Sequence, residues 1–501
     1  MNFLIMNETT KSGRGFTLGE LFRGLDVEMP RDVSNVAISG LTDDSREVKP
    51  GHLFVAVPGF STDGRKFIAE ASSLGAAAVL TSPSESVHIE IPAVFSKNLR
   101  SDLAVVADRF YGKPSSELTV SGITGTNGKT TTAYLLATIF ETAGYKWGKI
   151  GTIGYEIQGR LIPTKTTTPG CVELQRFLSR MVEAGLDGCA MEVSSHALEQ
   201  ERTASVSFSS ATFTNLTRDH LDYHENMEKY FSAKARLFVH VPVAIINTDD
   251  EYGRRLYAQT KTRKLSFAAQ AESDLKYNCN SMDIQGSDLE FTFDGRKSQF
   301  RFPLPGLFNH QNAAAAAATA IGLGLSLDQA IEGLSRAVPV PGRLEKIDMG
   351  QPFGIYVDYA HTPDALERLL ASLRRFNPSN LLVVFGCGGD RDKTKRPLMA
   401  EVVSKLADRV FLTSDNPRTE DPQAIIDDAI KGIADRSRCT VMVERPGAIR
   451  AAISEASAGD IVVIAGKGHE EYQIIGAVKK YFSDFEVARS ALRKMGYADN
   501  G

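Results

Sequence analysis

Short apolar runs separated by polar turns recur along the whole chain, and their character changes twice. Early on, Leu53-Phe54-Val55-Ala56-Val57 and Ala76-Ala77-Ala78-Val79-Leu80 read as strands, with polar loops at 43–46 and 59–64. Leu103 to Tyr111 has helical spacing and leads into Lys113-Pro114-Ser115-Ser116, a predicted boundary. Beyond it, strand-like runs at Thr119–Ser121, Gly188–Val193, Ala211–Asn215 and Val243–Asn247 alternate with helical connections, the pattern of a mostly parallel sheet. Two alternating segments, 289–293 and 299–302, flank Asp294-Gly295 and predict a β-hairpin, while Ala313–Ala318 predicts a closely packed helix. Pro339-Val340-Pro341-Gly342-Arg343 marks the second boundary. The near-continuous apolar runs after it, Ile355–Val357, Leu381–Phe385, Val410–Thr413 and Ile461–Ala465, suggest strands buried on both faces of a doubly wound sheet.

The expected fold class is therefore α/β with three domains, spanning 1–114, 115–342 and 343–501. Composition narrows the function rather than the fold. With 42% hydrophobic and 24% charged residues the chain falls among ordinary folded proteins. A net charge of −4 without a long basic block gives no electrostatic support for binding nucleic acid or a membrane surface. Five scattered cysteines, with no CxxC pair, point to a reducing cytoplasm and to neither a disulfide framework nor a zinc knuckle. The opening segment to Met6 is too short for a signal peptide, and the uncharged stretch 312–327 is shorter than a membrane span.

The most informative chemistry lies in Gly122-Ile123-Thr124-Gly125-Thr126-Asn127-Gly128-Lys129-Thr130-Thr131-Thr132, between a predicted strand and a helix-like run from Ala133 to Ala143. A glycine-rich turn there presents bare backbone N–H groups to a phosphate. Lys129 would neutralise the outer phosphates and the Thr130 hydroxyl could hold Mg²⁺. The strict phosphate-loop pattern places glycine at 123, whereas Ile123 stands there and the glycine is Gly122, which fits a sub-class of that loop.

In open α/β sheets ligands sit beyond the carboxyl ends of the strands, and four polar clusters of the last region fall there. They are Asp358-Tyr359-Ala360-His361, Gly386 to Asp392, Ser414-Asp415-Asn416-Pro417-Arg418, and Gly466-Lys467-Gly468-His469-Glu470. Arg391 and Arg418 suit a carboxylate, which a guanidinium grips through both oxygens, and Asp415 and Glu470 suit a cationic amine. Together they describe a pocket for a zwitterionic amino acid. In the middle region Glu192 ends a predicted strand, and His220 and His224 stand four apart; oxygen ligands beside a nucleotide favour Mg²⁺ over zinc.

These segments together resemble the Mur ligase family, the ATP-dependent amide-forming enzymes of peptidoglycan synthesis, over essentially the whole chain. The resemblance rests on Gly122–Thr132, Glu192-Val193-Ser194-Ser195-His196, the run Asn215 to His224, His310-Gln311-Asn312, Pro341-Gly342-Arg343-Leu344-Glu345 and the four strand-end clusters. It implies an N-terminal UDP-binding α/β domain, a central P-loop ATPase-like domain with a mostly parallel sheet, and a C-terminal Rossmann-like domain. By the same resemblance Asp44, Ser45, Phe60, Ser61 and Thr62 would touch the UDP moiety, and Thr166, Thr167, Thr168, Ser194, Gln200 and Arg202 the muramoyl-dipeptide. ATP would meet Gly125, Thr126, Asn127, Gly128, Lys129, Thr130, Thr131, Asn312, Arg343, Asp358 and His361. Thr130, Glu192, His220 and Lys234 would help hold Mg²⁺, with Lys234 matching a lysine that the family carries as a carbamate. Lys129, Glu192, His220 and Lys234 are the catalytic group so implied.

The family's activity implies two substrates besides ATP: UDP-N-acetylmuramoyl-L-alanyl-D-glutamate and an amino acid. The tetrad Asp415-Asn416-Pro417-Arg418 goes in this family with meso-2,6-diaminopimelate, whose second carboxylate Arg418 could grip; Arg391, Gly466 and Glu470 would complete that pocket. A lysine-adding member and a folylpolyglutamate synthase-like ligase are the nearer alternatives, and a regulator that hydrolyses ATP without ligation the more distant one. A cytoplasmic monomer, without nucleic-acid or membrane partners, is expected.

Overall fold

The computed structural model describes residues 15–59, 62–83, 88–164 and 166–498. Packing divides the chain into two units. The first comprises residues 1–122, 145–211 and 236–242, and the second residues 123–144, 212–235 and 243–501. The predicted boundary at 114 lies in the first unit and that at 342 in the second.

In the first unit a five-stranded sheet has the order Val27–Glu28, Ala93–Ser96, Ala78–Thr81, His52–Ala56, Gly40–Thr42, parallel except for its first strand. Of the apolar run predicted at 53–57, residues 53–56 are buried in it and Val57 only partly, because Leu53 and Val55 feed one core with Leu103 and Val106 while Phe54 and Ala56 feed another with Ile68 and Ala71. A core on each face explains a strand without alternation. The helix predicted at Leu103–Tyr111 starts earlier, at Leu99, and ends at Phe110. The same unit carries the strands Trp147–Ile150 and Gly188–Glu192, paired in parallel, with the antiparallel strands Tyr155–Ile157 and Arg160–Ile162 at the edge.

In the second unit, helix Lys129–Thr142 begins four residues before the predicted helical run, directly on the glycine loop. Strands Val243–Asn247 and Arg263–Ala268 are parallel, and Leu275–Asp283, Gly286–Phe293 and Arg296–Phe302 extend the sheet. Asp294 and Gly295 both have positive φ, 49° and 73°, as a two-residue hairpin turn requires. The alanine run lies inside helix Leu307–Gly322, where Ala313 to Ala318 are all buried.

The last region of this unit forms a six-stranded sheet in the order Glu345–Lys346, Gly354–Asp358, Ile461–Ala465, Leu381–Cys387, Arg409–Ser414, Cys439–Met442. Its last five strands are parallel. One face packs on helices Pro363–Arg374, Lys395–Leu406 and Pro422–Ala429, the other on Arg445–Glu455 and Asp484–Lys494, so the sheet is doubly wound. Register sets Asp358 beside Ala465 and Cys387 beside Ser414. The four polar clusters therefore leave the sheet along one edge, at the carboxyl ends of its strands.

Candidate active site

The glycine-rich loop 125–131 is assembled within the second unit. Gly125 and Gly128 have φ of 150° and 88°, and a Cβ on Gly128 would collide with the Asn312 side chain. Glycine at 128 is thus required twice, by conformation and by the close approach of helix Leu307–Gly322. Thr214 Oγ1 donates to the Asn127 carbonyl (2.7 Å), and Asn127 N–H donates to Asn215 Oδ1 (2.9 Å). Lys129 Nζ folds back on its own loop, donating to the Gly125 and Thr126 carbonyls at 3.0 and 2.8 Å. Arg343 Nη2 donates to Thr130 Oγ1 (3.0 Å) and its guanidinium lies 4.4 Å from the Tyr359 ring centre. Asp358, buried, accepts from the Leu344 and Ala360 N–H groups, both at 2.7 Å, and the chain brings His361 Nδ1 to the Tyr359 carbonyl (2.8 Å).

Lys234 is the most unusual group here. Its side chain is 1% exposed, its Nζ donates to the Gly125 carbonyl (2.8 Å) and stands over the Tyr230 ring at 4.6 Å. Burial, reinforced by the charge of Lys129, holds its amine well below lysine's ordinary pKa despite an opposing pull from Asp219. Burial pushes the Asp219 carboxyl up, but His220, His361 and Lys395 outweigh it and keep it below the usual carboxylate range. His220, with φ of 54°, lies 3.4 Å from Asp219 Oδ2. Asp364 was not foreseen: it accepts from Asn127 Nδ2 (2.8 Å) and Thr217 Oγ1 (3.1 Å), so the first turn of helix Pro363–Arg374 braces the loop. No local pattern announces that role, because its partners lie roughly 150 to 240 residues away in sequence.

A second cluster belongs to the first unit. Glu192, 2% exposed, accepts from Thr152 N–H (2.8 Å) and Thr152 Oγ1 (3.1 Å), and Thr152 Oγ1 meets Thr167 Oγ1 at 3.1 Å. Thr168 Oγ1 donates to the Glu192 carbonyl (2.9 Å) and accepts from Ser194 N–H (3.0 Å). Arg202 donates to the Thr168 carbonyl (2.9 Å) and, through Nε and Nη2, to Gln200 Oε1. Thr166 Oγ1 donates to that same Thr168 carbonyl (2.8 Å). Glu192, Thr166, Thr167, Thr168, Ser194, Gln200 and Arg202 thus form one network, and Thr152 is the member that sequence reading missed. Elsewhere in this unit, Asp44 caps the short helix Ser45–Glu47 and pairs with Arg46, Ser45 is buried, and Thr62 accepts from Gly59 N–H. Phe60 and Ser61 lie outside the described residues.

The third cluster lies at the carboxyl edge of the six-stranded sheet. Asp415 and Asn416 are buried. Asn416 Nδ2 donates to Glu470 Oε2 (2.9 Å), and Tyr472 OH donates to Glu470 Oε1 (3.2 Å). Gly466, with φ of 114°, lets the chain pass Asp415: a Cβ there would stand 2.7 Å from Asp415 Oδ2. The backbone of Arg418 is pinned by Ile474 and Gly476 (3.0 and 2.7 Å), and its Nη1 donates to the Gly389 carbonyl (2.6 Å). Burial and the nearby charge of Arg391 both pull the Arg418 guanidinium below its ordinary pKa. Arg391 itself is exposed and donates to the Asp390 carbonyl (2.9 Å), so the half-buried Arg418 has a second, solvent-facing cation near it, and a carboxylate bound beside both would relieve their repulsion. The loops that carry them are cross-braced: Asp390 accepts from Thr419 N–H and Oγ1, and Glu420 accepts from Asp390 N–H (2.6 Å) and from buried Arg396 (2.8 Å).

Among the described residues no group of three or more His, Cys, Asp or Glu side chains could cage a metal ion. The donors that are present, the Thr130 hydroxyl and the Glu192 carboxylate, are hard oxygens. Each of these oxygens, taken by itself, is of the kind that suits Mg²⁺ and not zinc.

Three stretches match models of one family: residues 37–109 the Mur ligase family catalytic domain, 123–320 the Mur ligase middle domain, and 342–468 the Mur ligase glutamate ligase domain. The chain belongs to the Mur ligase family. Proteins called UDP-N-acetylmuramoyl-L-alanyl-D-glutamate--2,6-diaminopimelate ligase are 42% identical in Solibacter usitatus, over 96% of this chain and 99% of the relative, and 43% identical in Xylella fastidiosa, over 94% and 96%. A solved structure of a ligase of that name is 33% identical, with a TM-score of 0.70 over 97% of this chain and 100% of its own. A Mycobacterium tuberculosis folylpolyglutamate synthase, 19% identical with a TM-score of 0.62 over 79% of this chain and 95% of its own, shares the fold. The Mur ligase architecture of three domains and mostly parallel sheets is thus present, and among the described residues no helix is long and apolar enough to cross a membrane.

Proposed function

We propose that this Mur ligase joins an amino group of meso-2,6-diaminopimelate to the D-glutamyl carboxylate of UDP-N-acetylmuramoyl-L-alanyl-D-glutamate, at the expense of ATP, in the cytoplasmic synthesis of peptidoglycan precursors. The names of its relatives support the reaction, and one observation carries the choice of amino acid. Half-buried Arg418 feels the charge of exposed Arg391 at the same sheet edge where Asp415, Asn416 and Glu470 gather. Paired cations suit the second carboxylate of diaminopimelate, and the acidic groups suit its ammonium. Lysine has no second carboxylate to offer.

In this reading the loop Gly125–Thr131 cradles the phosphates through backbone N–H groups, and Lys129 leaves its loop carbonyls to neutralise the terminal phosphate. Asn312, Arg343, Asp358 and His361 place the rest of the nucleotide. Asp44, Ser45 and the 60–62 loop hold the UDP group, and Thr166, Thr167, Thr168, Ser194, Gln200 and Arg202 position the dipeptide. A carboxylate oxygen of the dipeptide attacks the terminal phosphorus while the bond to ADP breaks. The amine nitrogen then attacks the acyl carbon, phosphate leaves with the C–O electron pair, and the nitrogen loses its proton to solvent. Lys129 and Arg343 disperse charge in both steps.

Mg²⁺, when bound, supplies neutralisation of the phosphate oxygens, and Thr130, Glu192, His220 and a carbamylated Lys234 are the groups we assign to it. Carbamate formation needs a neutral amine to attack CO₂ and release a proton. The depressed pKa of Lys234 supplies that neutral form, and its product replaces a potential cation with an anionic oxygen ligand. We further assign 1–114, 115–342 and 343–501 as the UDP-binding, ATP-binding and amino-acid-binding domains of a monomer. Mass analysis of the product formed from the UDP-dipeptide, ATP and each amino acid tests the reading: diaminopimelate should be incorporated, and incorporation of lysine instead would replace it with the lysine-adding alternative.

A further inference from the structure

Lys467 is a buried charge for which the reaction above has no use. Its side chain is 0% exposed, and a lysine is rarely enclosed without a partner that offsets its desolvation. The partners are specific. Lys467 Nζ lies 3.2 Å from Asn416 Oδ1 and 3.2 Å from Glu470 Oε2, and stands 5.4 Å from the centre of the Tyr472 ring. Asn416 Oδ1 also accepts from Ile474 N–H (2.9 Å), and Asn416 Nδ2 donates to the same Glu470 oxygen. The Asn416 amide therefore has only one orientation that satisfies its neighbours, and Lys467 is the group that closes the triangle between Asn416 and Glu470.

We propose that Lys467 is a positioning residue of the amino-acid pocket: its buried ammonium fixes the orientation of Asn416 and Glu470 and offsets part of the acidic charge there, so that the pocket takes a zwitterionic group in preference to a lone cation. This rests on the amino-acid-binding role given above to Asn416 and Glu470. Asp415 and Glu470 alone would make the pocket acidic enough to attract any amine. With Lys467, Arg418 and Arg391 beside Asp415 and Glu470, groups of both signs line the pocket, and a ligand end that carries both an ammonium and a carboxylate matches them. Without Lys467, Glu470 Oε2 and Asn416 Oδ1 each lose a charged donor, and the Ile474 N–H and the Asn416–Glu470 contact alone are left to orient the amide.

Steady-state ADP release by the full chain tests this with Lys467→Met, which keeps the length of the side chain and removes its charge and donors, and with Lys467→Gln, which keeps a donor without the charge. Both are expected to raise KM for diaminopimelate by about tenfold or more while KM for ATP stays within about twofold. The ratio of kcat/KM for diaminopimelate to that for lysine should fall in both. A merely structural role would instead move both KM values, or kcat, together. If the Met form does not fold, as judged by its thermal transition, the Gln form decides. Unchanged KM for diaminopimelate and an unchanged selectivity ratio in a folded variant overturn the proposal. Failure of the unsubstituted protein to use diaminopimelate at all would strike the functional reading itself, and so is distinguishable.

Discussion

Replacing Arg418 with alanine should abolish most of the affinity for diaminopimelate while leaving the fold and the nucleotide site intact. The backbone of residue 418 has φ of 52°, a strained region for any residue but glycine, and its N–H and C=O bond to Ile474 and Gly476. Alanine inherits that strain and those bonds unchanged, so the effect reports the side chain. What is lost in the folded protein without ligand is one hydrogen bond to the Gly389 carbonyl and the attraction of Asp415, Glu470 and Asp390, offset by relief of the guanidinium's burial and of the repulsion from Arg391, so the thermal midpoint should move little. What is lost in the complex is a guanidinium-to-carboxylate contact in a half-buried site, about 2–5 kcal/mol when one partner of such a pair is removed. Arg391 remains to bind part of that charge, which places the loss near the lower end. At 1.4 kcal/mol per decade, KM for diaminopimelate should rise about 30- to 300-fold. Coupled ADP-release kinetics with saturating ATP and UDP-dipeptide measure it. A rise below about threefold, with KM for ATP also unchanged, would show that Arg418 does not hold the substrate's carboxylate.

Other outcomes follow from the same geometry. Gly128→Ala should remove ATP binding, measured by calorimetry with ADP, because its Cβ meets Asn312 in a conformation that itself costs about 1–3 kcal/mol. Lys234→Met should be more stable than the parent in CO₂-free buffer, most so at low pH. The folded amine titrates below its unfolded value, so the unfolded chain binds the extra proton between the two pKa values and the parent gains stability as pH rises towards about 10.4. A difference in Tm that does not shrink with rising pH would contradict the depressed amine. Asp484→Ala should destabilise by about 3–5 kcal/mol in urea unfolding, since it strands Arg445, whose guanidinium is fully buried with Asp484 at 2.7 Å as its carboxylate partner.

Much of this fold could be read from the chain because its signals are local. The strands Val243–Asn247 and Ile461–Ala465 fall where their apolar runs begin and end, and Asp294-Gly295 makes the turn that its dipeptide demands. Helix Lys129–Thr142 begins earlier than its apolar pattern, since Lys129, Thr130, Thr131 and Thr132 enter it from the loop and carry no periodicity of their own. Strand Phe208–Phe213 is displaced from the predicted 211–215 because Thr214 and Asn215 turn out to support the glycine-rich loop instead of continuing the strand. The edge strand Cys439–Met442 and the hairpin Tyr472–Tyr481 escaped notice, being short and partly exposed, with no buried run to announce them. At the candidate site, residue types named the chemistry of Arg391, Asp415, Arg418 and Glu470. The residues that brace the candidate sites, Asp364 under the glycine-rich loop, Thr152 on Glu192, Glu420 beneath Asp390 and Lys467 beside Asn416 and Glu470, reach their places only through the fold, and residue type alone cannot single them out.

The most direct test follows ADP release by the purified protein as UDP-N-acetylmuramoyl-L-alanyl-D-glutamate and meso-2,6-diaminopimelate are withheld in turn. The account predicts sustained turnover only when both are present with ATP and Mg²⁺, and little turnover when lysine replaces diaminopimelate. Equal ADP release without the amino acid, or with lysine in its place, would contradict it.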